Sequence, residues 1–217
     1  VNTHAKRQYQ FPNGGILQFA KAPVVGKVKT RLIKNIGAEA ACQLHKELMS
    51  ATSKMISESA IAPFELWVAG TKSEDFMKEG SQQFDGQCFT QRGANLGERM
   101  SFALKSALYR WNYAVIVGSD CPAMDDKYLV NALTQLEQGA ELVVGPAEDG
   151  GYVLIGAREH FPSLFEGISW GTERVMQQTR EKALLLGIQL IELPTLWDVD
   201  NVGDLKRMSN PNYATTA

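Results

Sequence analysis

Lysines, an arginine, aspartates and glycines gather in short clusters along this chain, each suited to an anionic ligand or to the cation that accompanies one. The first is Lys21-Ala22-Pro23-Val24-Val25-Gly26-Lys27-Val28-Lys29-Thr30-Arg31. Gly26 permits a tight turn whose backbone N–H groups can face an anion. Lys21 and Lys29 bring compact charge, and Arg31 offers forked hydrogen bonds to phosphate oxygens. The run is neither a P-loop nor a Gly-x-Gly-x-x-Gly dinucleotide turn, and composition alone leaves a solvated basic loop equally open. The second cluster, Gly118-Ser119-Asp120-Cys121-Pro122, follows five apolar residues. A carboxylate there has few solvating partners, and Mg²⁺ takes one or two carboxylates while substrate phosphates fill other positions. Its plainer use is a turn cap before proline.

Asp149-Gly150-Gly151 is a hairpin signal. Its functional alternative is glycine backbone approaching a sugar or phosphate while Asp149 bonds a hydroxyl or acts as base. Asp198-Val199-Asp200-Asn201 either caps a helix or adds a second acidic contribution to a metal site. Trp170-Gly171-Thr172 either lines an acceptor pocket or packs in the core. The histidines support little: His45 falls within a helix, and His4 and His160 have no partner at catalytic spacing, so Ser-His-Asp and zinc-histidine chemistry lack a basis. Cys42, Cys88 and Cys121 are an odd number with no Cys-x-x-Cys spacing, which speaks for reduced thiols.

The hydrophobic pattern predicts a scaffold that brings these clusters together. Strands are expected at Gly15–Ala20, Phe64–Val68, Gln87–Gln91, Tyr113–Val117, Glu141–Gly145, Tyr152–Gly156 and Ile188–Leu193. Helices are expected at Gly37–Ser59, Leu96–Trp111, from an Asp125 cap to about Gln138, at Thr172–Leu186 with Thr172 as a possible cap, and at Gly203–Met208. The unalternating run Tyr113–Val117 reads as a central strand covered on both faces. Alternating strands and helices make this α/β, a three-layer α/β/α fold with a mostly parallel sheet. In such sheets ligands bind beyond the carboxyl ends of the strands, which is where the clusters fall.

The 217 residues suit one domain. The expected limits are a polar, flexible leader at 1–14, the domain at 15–208 and a tail at 209–217. A formal charge of −2 argues against a nucleic-acid binder. Neither a signal-peptide core nor a run near the roughly 20 apolar residues of a membrane span is present, so no membrane span and a cytoplasmic location are expected.

Taken in order, Phe19-x-Lys21-x-Pro23-x-x-Gly26-x-x-Lys29-Thr30-Arg31-Leu32, Gln91-x-Gly93-x-x-Leu96-Gly97-Glu98-Arg99-Met100, Gly118–Pro122, Gly145-Pro146-x-x-Asp149-Gly150-Gly151-Tyr152 and Asp198-Val199-Asp200 resemble a known set of motifs. The chain is similar, over roughly residues 15 to 208, to the short bacterial glycosyltransferase-like proteins of GT-A (nucleotide-diphospho-sugar transferase) fold, long carried as a domain of unknown function. These are related to phospholactate guanylyltransferase and the molybdenum-cofactor guanylyltransferase. The resemblance implies that Lys21, Lys29 and Arg31 hold nucleotide phosphates beside Gly26, and that Gln91 and Gly93 lie near the nucleotide. It implies Mg²⁺ or Mn²⁺ on Asp120, completed by Asp200.

One departure stands out: metal-dependent glycosyltransferases usually place Asp-x-Asp after the central strand, whereas here a single Asp120 precedes Cys121-Pro122, as in nucleotidyltransferases. The expected partners are a nucleotide-sugar or NTP donor and a small-molecule acceptor, with no nucleic acid. Glycosyl transfer is the first expectation, with Asp149 and Asp120 catalytic and with Gly150, Gly151, Trp170, Thr172 and Asp198 around the acceptor or sugar. Nucleotidyl transfer from an NTP is the alternative, and a non-catalytic nucleotide-binding module the third.

Overall fold

The computed structural model describes residues 8–70 and 87–209. Its seven strands are β1 (Gly14–Lys21), β2 (Phe64–Ala69), β3 (Gln87–Thr90), β4 (Tyr113–Val117), β5 (Leu142–Pro146), β6 (Tyr152–Ala157) and β7 (Leu190–Glu192). They form one sheet in the order β3-β2-β1-β4-β6-β5-β7. Every neighbouring pair is parallel except those made by β6, which runs antiparallel to both β4 and β5. The reversal is local in origin: only residues 147–151 join β5 to β6, too few for a crossover, so the chain turns back as a hairpin.

Helices α1 (Ile33–Ile36), α2 (Ala38–Ser59), α3 (Leu96–Leu108), α4 (Asp126–Glu137), α5 (Val175–Leu186) and α6 (Val202–Met208) complete the described elements, with a 3₁₀ turn at Pro162–Phe165. Strand alternation sorts the core into two layers. Ile16, Leu66, Val68 and Val115 face one side, where Met49 and Ile56 of α2 and Leu129, Leu133 and Leu136 of α4 cover them. Leu17, Trp67, Ile116 and Ile155 face the other, under Met100 and Leu104 of α3 and Met176 and Ala183 of α5. This is the expected α/β/α sandwich with a mostly parallel sheet.

Several boundaries differ. Helix α3 stops at Leu108, short of Trp111. The helix expected from Thr172 begins at Val175, because the Thr172 hydroxyl bonds back to the Ser169 carbonyl in a preceding turn; Arg174 precedes the helix without a side-chain cap. The expected strand at Ile188–Leu193 contracts to Leu190–Glu192. Asp125 does cap α4, accepting from the Tyr128 N–H. Residues 1–7 of the leader and 210–217 of the tail lie outside the described residues. Gln10 and Phe11 nevertheless dock by backbone bonds to Ala60 and Ile61, with Phe11 buried, so the folded part starts ahead of Gly15. No helix among the described residues is long and apolar enough to cross a membrane.

The sheet order places a topological switch between β1 and β4. From β1 the chain winds to β2 and β3 on one side, while from β4 it winds to β5, β6 and β7 on the other. Such a divergence opens a crevice at the carboxyl ends of the two strands. Lys21 ends β1 and residues 22–31 follow it, while residues 118–122 follow β4.

Candidate functional site

That crevice is a cavity of about 640 Å³. Of the expected site residues it is lined by Lys21, Lys29, Arg31, Gln91, Asp120, Trp170 and Asp200. The Lys29 ammonium donates to Asp120 Oδ2 at 2.7 Å and to the Val199 carbonyl at 2.6 Å, and lies 3.5 Å from Asp200 Oδ1. Its side chain is only 5% exposed. The Lys29 backbone has φ 45°, a left-handed conformation costing a non-glycine residue about 1 kcal/mol. The three contacts of the ammonium hold it there. Arg31 Nη1 donates to the other Asp200 oxygen at 2.7 Å, and its side chain is 66% exposed.

A small apolar knot explains why segments so distant in sequence meet. Val199 and Leu32 are fully buried against Leu48 of α2, with Leu44, Trp197, Val202 and Leu205 around them. Leu32 is next to Arg31, and Val199 lies between Asp198 and Asp200, so packing these residues fixes the charged neighbours in place. The Val199 N–H also donates to the Asp120 carbonyl at 2.9 Å. Asn201 caps α6, and the Asp204 carboxylate returns to the N–H groups of Asp200 and Asn201 in a reciprocal capping box. The capping role therefore falls to Asn201, leaving the Asp200 carboxylate for the cavity.

Asp120, Asp198 and Asp200 each bring a carboxylate oxygen within 4.8 Å of the others. Burial, then repulsion from Asp120, Asp149 and Asp200, pushes the Asp198 carboxyl up to about 7, with Lys29 opposing. Three carboxylates here face two cations, Lys29 and Arg31, and hard oxygen donors in such a cluster suit a hard divalent cation. The residues fit a metal ion.

Beneath the cluster lies a polar network that sequence reading did not anticipate. Gln18 of β1 is fully buried. Its amide donates to the Met49 carbonyl of α2 and to Ser119 Oγ, both at 2.9 Å, and accepts from Ser53 Oγ at 2.6 Å. Ser119 in turn donates to the Phe19 carbonyl at 2.8 Å. Ser119 thus points into the core, and Asp120 alone of this loop offers a carboxylate. A buried amide is tolerated only when its hydrogen bonds are made, so the network ties α2 and β1 to the residue before Asp120.

Other expected residues take structural positions. Asp149 is exposed at the hairpin tip, where Oδ1 accepts from the Gly151 N–H at 2.8 Å. The hairpin signal is realised, and Asp149 reaches the site through its repulsion of Asp198. Gly150 has φ 86°, and a Cβ there would come 2.1 Å from the Glu173 carbonyl, so close packing requires this glycine. Gly151, Thr172 and Gly93 do not line the cavity, nor does Gly26, which supplies a turn at φ 77°. Gln91 lines it while its amide donates to the carbonyls of Ala20 and Trp67, bracing the ends of β1 and β2. Gly171, read with Trp170 as a possible pocket wall, lines the cavity too, as do His45, Thr30, Leu96 and Arg99, which were given no role. His45 Nε2 bonds the Lys21 carbonyl at 2.9 Å, and burial above all lowers its pKa, which favours neutral imidazole. The signal was available, since Ala41, His45, Leu48 and Thr52 recur on the buried face of α2.

Trp170 lies across the start of α3, where a Cβ on Gly97 would come 2.6 Å from the indole. Gly97→Ala provides a test of that packing. In an unhindered helix interior this change gains about 1 kcal/mol. Here overpacking is expected to reverse the sign, costing about 1–3 kcal/mol and shifting tryptophan emission. A melting temperature at or above the parent's would show that Trp170 is not held against α3.

Residues 52–172 match the protein family described as "Uncharacterized protein conserved in bacteria (DUF2064)". Among solved structures, a protein of Desulfovibrio desulfuricans G20, provisionally described as a nucleotide-diphospho-sugar transferase, is 32% identical with a TM-score of 0.83, covering 95% of this chain and 90% of that one. A cytidylyltransferase from Leptospira borgpetersenii serovar Hardjo-bovis (strain JB197) is 15% identical at TM-score 0.58, with 95% and 89% covered. Glucosyl-3-phosphoglycerate synthase from Mycobacterium tuberculosis, solved with Mn²⁺, UDP and glucosyl-3-phosphoglycerate, is 11% identical at TM-score 0.54, with 91% and 76% covered. The last two similarities are of fold alone. No match was found among curated proteins.

Proposed function

The chain belongs to the bacterial family described as "Uncharacterized protein conserved in bacteria (DUF2064)", and on that premise we propose that it is a transferase using a nucleotide-activated donor, moving a sugar from a nucleotide-diphospho-sugar to a small acceptor. The observation that carries this reading is the convergence of Lys29, Arg31, Asp120, Asp198 and Asp200 on the crevice between β1 and β4. Cations and carboxylates around one cavity suit a diphosphate and its divalent cation. The similarity to the D. desulfuricans protein supports the same donor class.

In this reading Lys21, Lys29 and Arg31 contact the diphosphate, and Asp120, Asp198 and Asp200 hold Mg²⁺ or Mn²⁺. The cation, when bound, would offset charge on the diphosphate. The acceptor hydroxyl forms a bond to the sugar's anomeric carbon as the bond from that carbon to the diphosphate oxygen breaks. Asp149, close enough to act on the Asp198 carboxyl, positions the hydroxyl or takes its proton, and the nucleoside diphosphate leaves.

One feature favours a second reading, nucleotidyl transfer from an NTP to a phosphorylated acceptor. Ser119 is committed to the core, so the loop after β4 presents one carboxylate and the others come from residues 198–200. The two readings release different products: nucleoside diphosphate for glycosyl transfer, pyrophosphate for nucleotidyl transfer. Thermal shift against nucleotide-sugars and NTPs, with and without Mg²⁺, followed by product analysis, separates them. A Mg²⁺-dependent shift is expected with nucleotide-sugars; none with any nucleotide would remove both readings. Arg31→Ala is expected to weaken nucleoside diphosphate binding about tenfold and to leave nucleoside affinity unchanged. An equal loss for the nucleoside would take Arg31 away from the phosphates.

A further inference from the structure

A second cavity, of about 550 Å³, shares the Trp170 ring with the first. Helix α3 and the segment 160–170 form its walls. We propose that it receives the acceptor, and that the acceptor is a hydroxylated small molecule carrying an anionic group. The proposal rests on the donor reading above and names the other substrate of that site.

Size and lining both point to a small-molecule ligand. The volume lies within the usual range for such pockets, which pair apolar walls with a few placed polar groups. Phe102, Phe165 and Trp170 supply flat apolar faces suited to the carbon face of a sugar-like ring. Phe102 remains 37% exposed, with the Arg92 guanidinium 5.5 Å from its ring centroid. Against these faces stands a polar pair, Ser101 Oγ and His160 Nε2, 2.9 Å apart. A hydroxyl and an imidazole together can both donate to and accept from ligand hydroxyls.

Charge supplies the second half of the inference. Lys105, one turn along α3 from Ser101, brings an ammonium to the same wall. Burial and this cation both lower the His160 pKa, in keeping with a neutral hydrogen-bonding imidazole. Of the two acids lining the cavity, Glu98 is already committed: Oε2 accepts from the Ala94 N–H and Oε1 from the Asn95 amide, both at 2.8 Å. Glu166 is exposed to solvent. Lys105 is therefore available to a carboxylate or phosphate on the ligand.

The first turn of α3 divides the two cavities. Leu96 and Arg99 line the donor side, and Asn95 and Glu98 the other. Trp170 completes the partition, stacked on Phe165 with centroids 6.5 Å apart. A ligand seated beyond the indole stands beside the donor without occupying the phosphate site.

Titration of the full chain with glucose 6-phosphate and with glucuronate, followed by tryptophan fluorescence, tests this without nucleotide present. Saturation by at least one of these anions is expected, with glucose binding at least about tenfold more weakly. Lys105→Gln should weaken the anionic probe about tenfold and Phe102→Ala about fivefold, with circular dichroism of both variants matching the parent. Saturating UDP or GDP with Mg²⁺ should change probe affinity by less than about twofold, as expected of separate cavities. The proposal is overturned if neither anion saturates, if Lys105→Gln binds as the parent does, or if the nucleotide displaces the probe. Failure of the donor reading shows differently, as absence of any Mg²⁺-dependent nucleotide binding.

Discussion

Replacing Asp120 with asparagine is expected to weaken Mg²⁺-dependent nucleotide binding by at least about 100-fold, while the melting temperature stays within about 3 °C of the parent's. Asparagine matches aspartate in shape and keeps a neutral oxygen towards Lys29, so packing after β4 is undisturbed. The backbone anchor from the Val199 N–H to the Asp120 carbonyl is independent of the side chain. What disappears is the formal charge. Its loss removes a favourable pairing with Lys29 at 2.7 Å, yet it also removes repulsion that burdens Asp198. These two effects oppose each other, which is why little net stability should be lost. Metal-dependent binding has no such compensation, because the cation loses a carboxylate from a cluster of three. Titration calorimetry with UDP and GDP, in Mg²⁺ and in EDTA, measures the effect. An Asp120→Asn protein with the parent's Mg²⁺-dependent affinity would take Asp120 out of the site.

The arrangement behind this result was readable from the sequence where local pattern and chemistry agreed. The run Tyr113–Val117 is apolar on both faces and became a central strand, so the carboxylate that follows had to lie at the sheet's carboxyl edge. The same logic put Lys21–Arg31 beyond β1. What joins those segments was not readable. Leu32, Leu48 and Val199 form their knot only once the chain has folded, and nothing local marks them as partners. Gln18 did leave a trace: an amide inside the apolar strand Gly14–Lys21 must find buried partners. Those partners, Met49, Ser53 and Ser119, come from other elements. His45 was passed over because an isolated histidine on a helix is usually core, and its place on the cavity wall depends on how α2 packs against β1.

Asp149-Gly150 shows that two readings of one motif can both describe real physics. The hairpin it signals forms, Gly150 takes positive φ, and the turn makes β6 the antiparallel member of the sheet. That same turn brings Asp149 close enough to raise the Asp198 pKa. Asp198-Val199-Asp200-Asn201 resolves differently, since the two roles fall to neighbouring residues, with Asn201 capping α6 and Asp200 facing the cavity.

Lys29 supplies the opposite test to Asp120. Lys29→Met keeps a long unbranched side chain but removes the one deeply buried ammonium that links Asp120, Asp200 and the Val199 carbonyl. Lys29 is buried, but Asp120 is 36% exposed and Asp200 keeps Arg31, so the cost of deleting the ammonium falls at the low end for a broken buried pair, about 3 kcal/mol. Asp198 is already pushed up to about 7 with Lys29 in place, so removing the cation leaves three carboxylates with still less compensation. The left-handed backbone at residue 29 would also lose the contacts that sustain it. In EDTA the melting temperature should fall by about 8 °C, at the roughly 2–4 °C per kcal/mol expected for a domain of this size. Mg²⁺ alone should restore more stability to Lys29→Met than to the parent, because a cation that binds the folded state stabilises it by mass action and the variant lacks the ammonium that otherwise occupies the cluster. Nucleotide affinity should remain weakened even in saturating Mg²⁺, since a phosphate contact is gone. Differential scanning calorimetry in EDTA and across a Mg²⁺ series reads both effects. Equal melting temperatures in EDTA, or equal Mg²⁺ shifts for variant and parent, would mean that Lys29 does not hold the acidic cluster together.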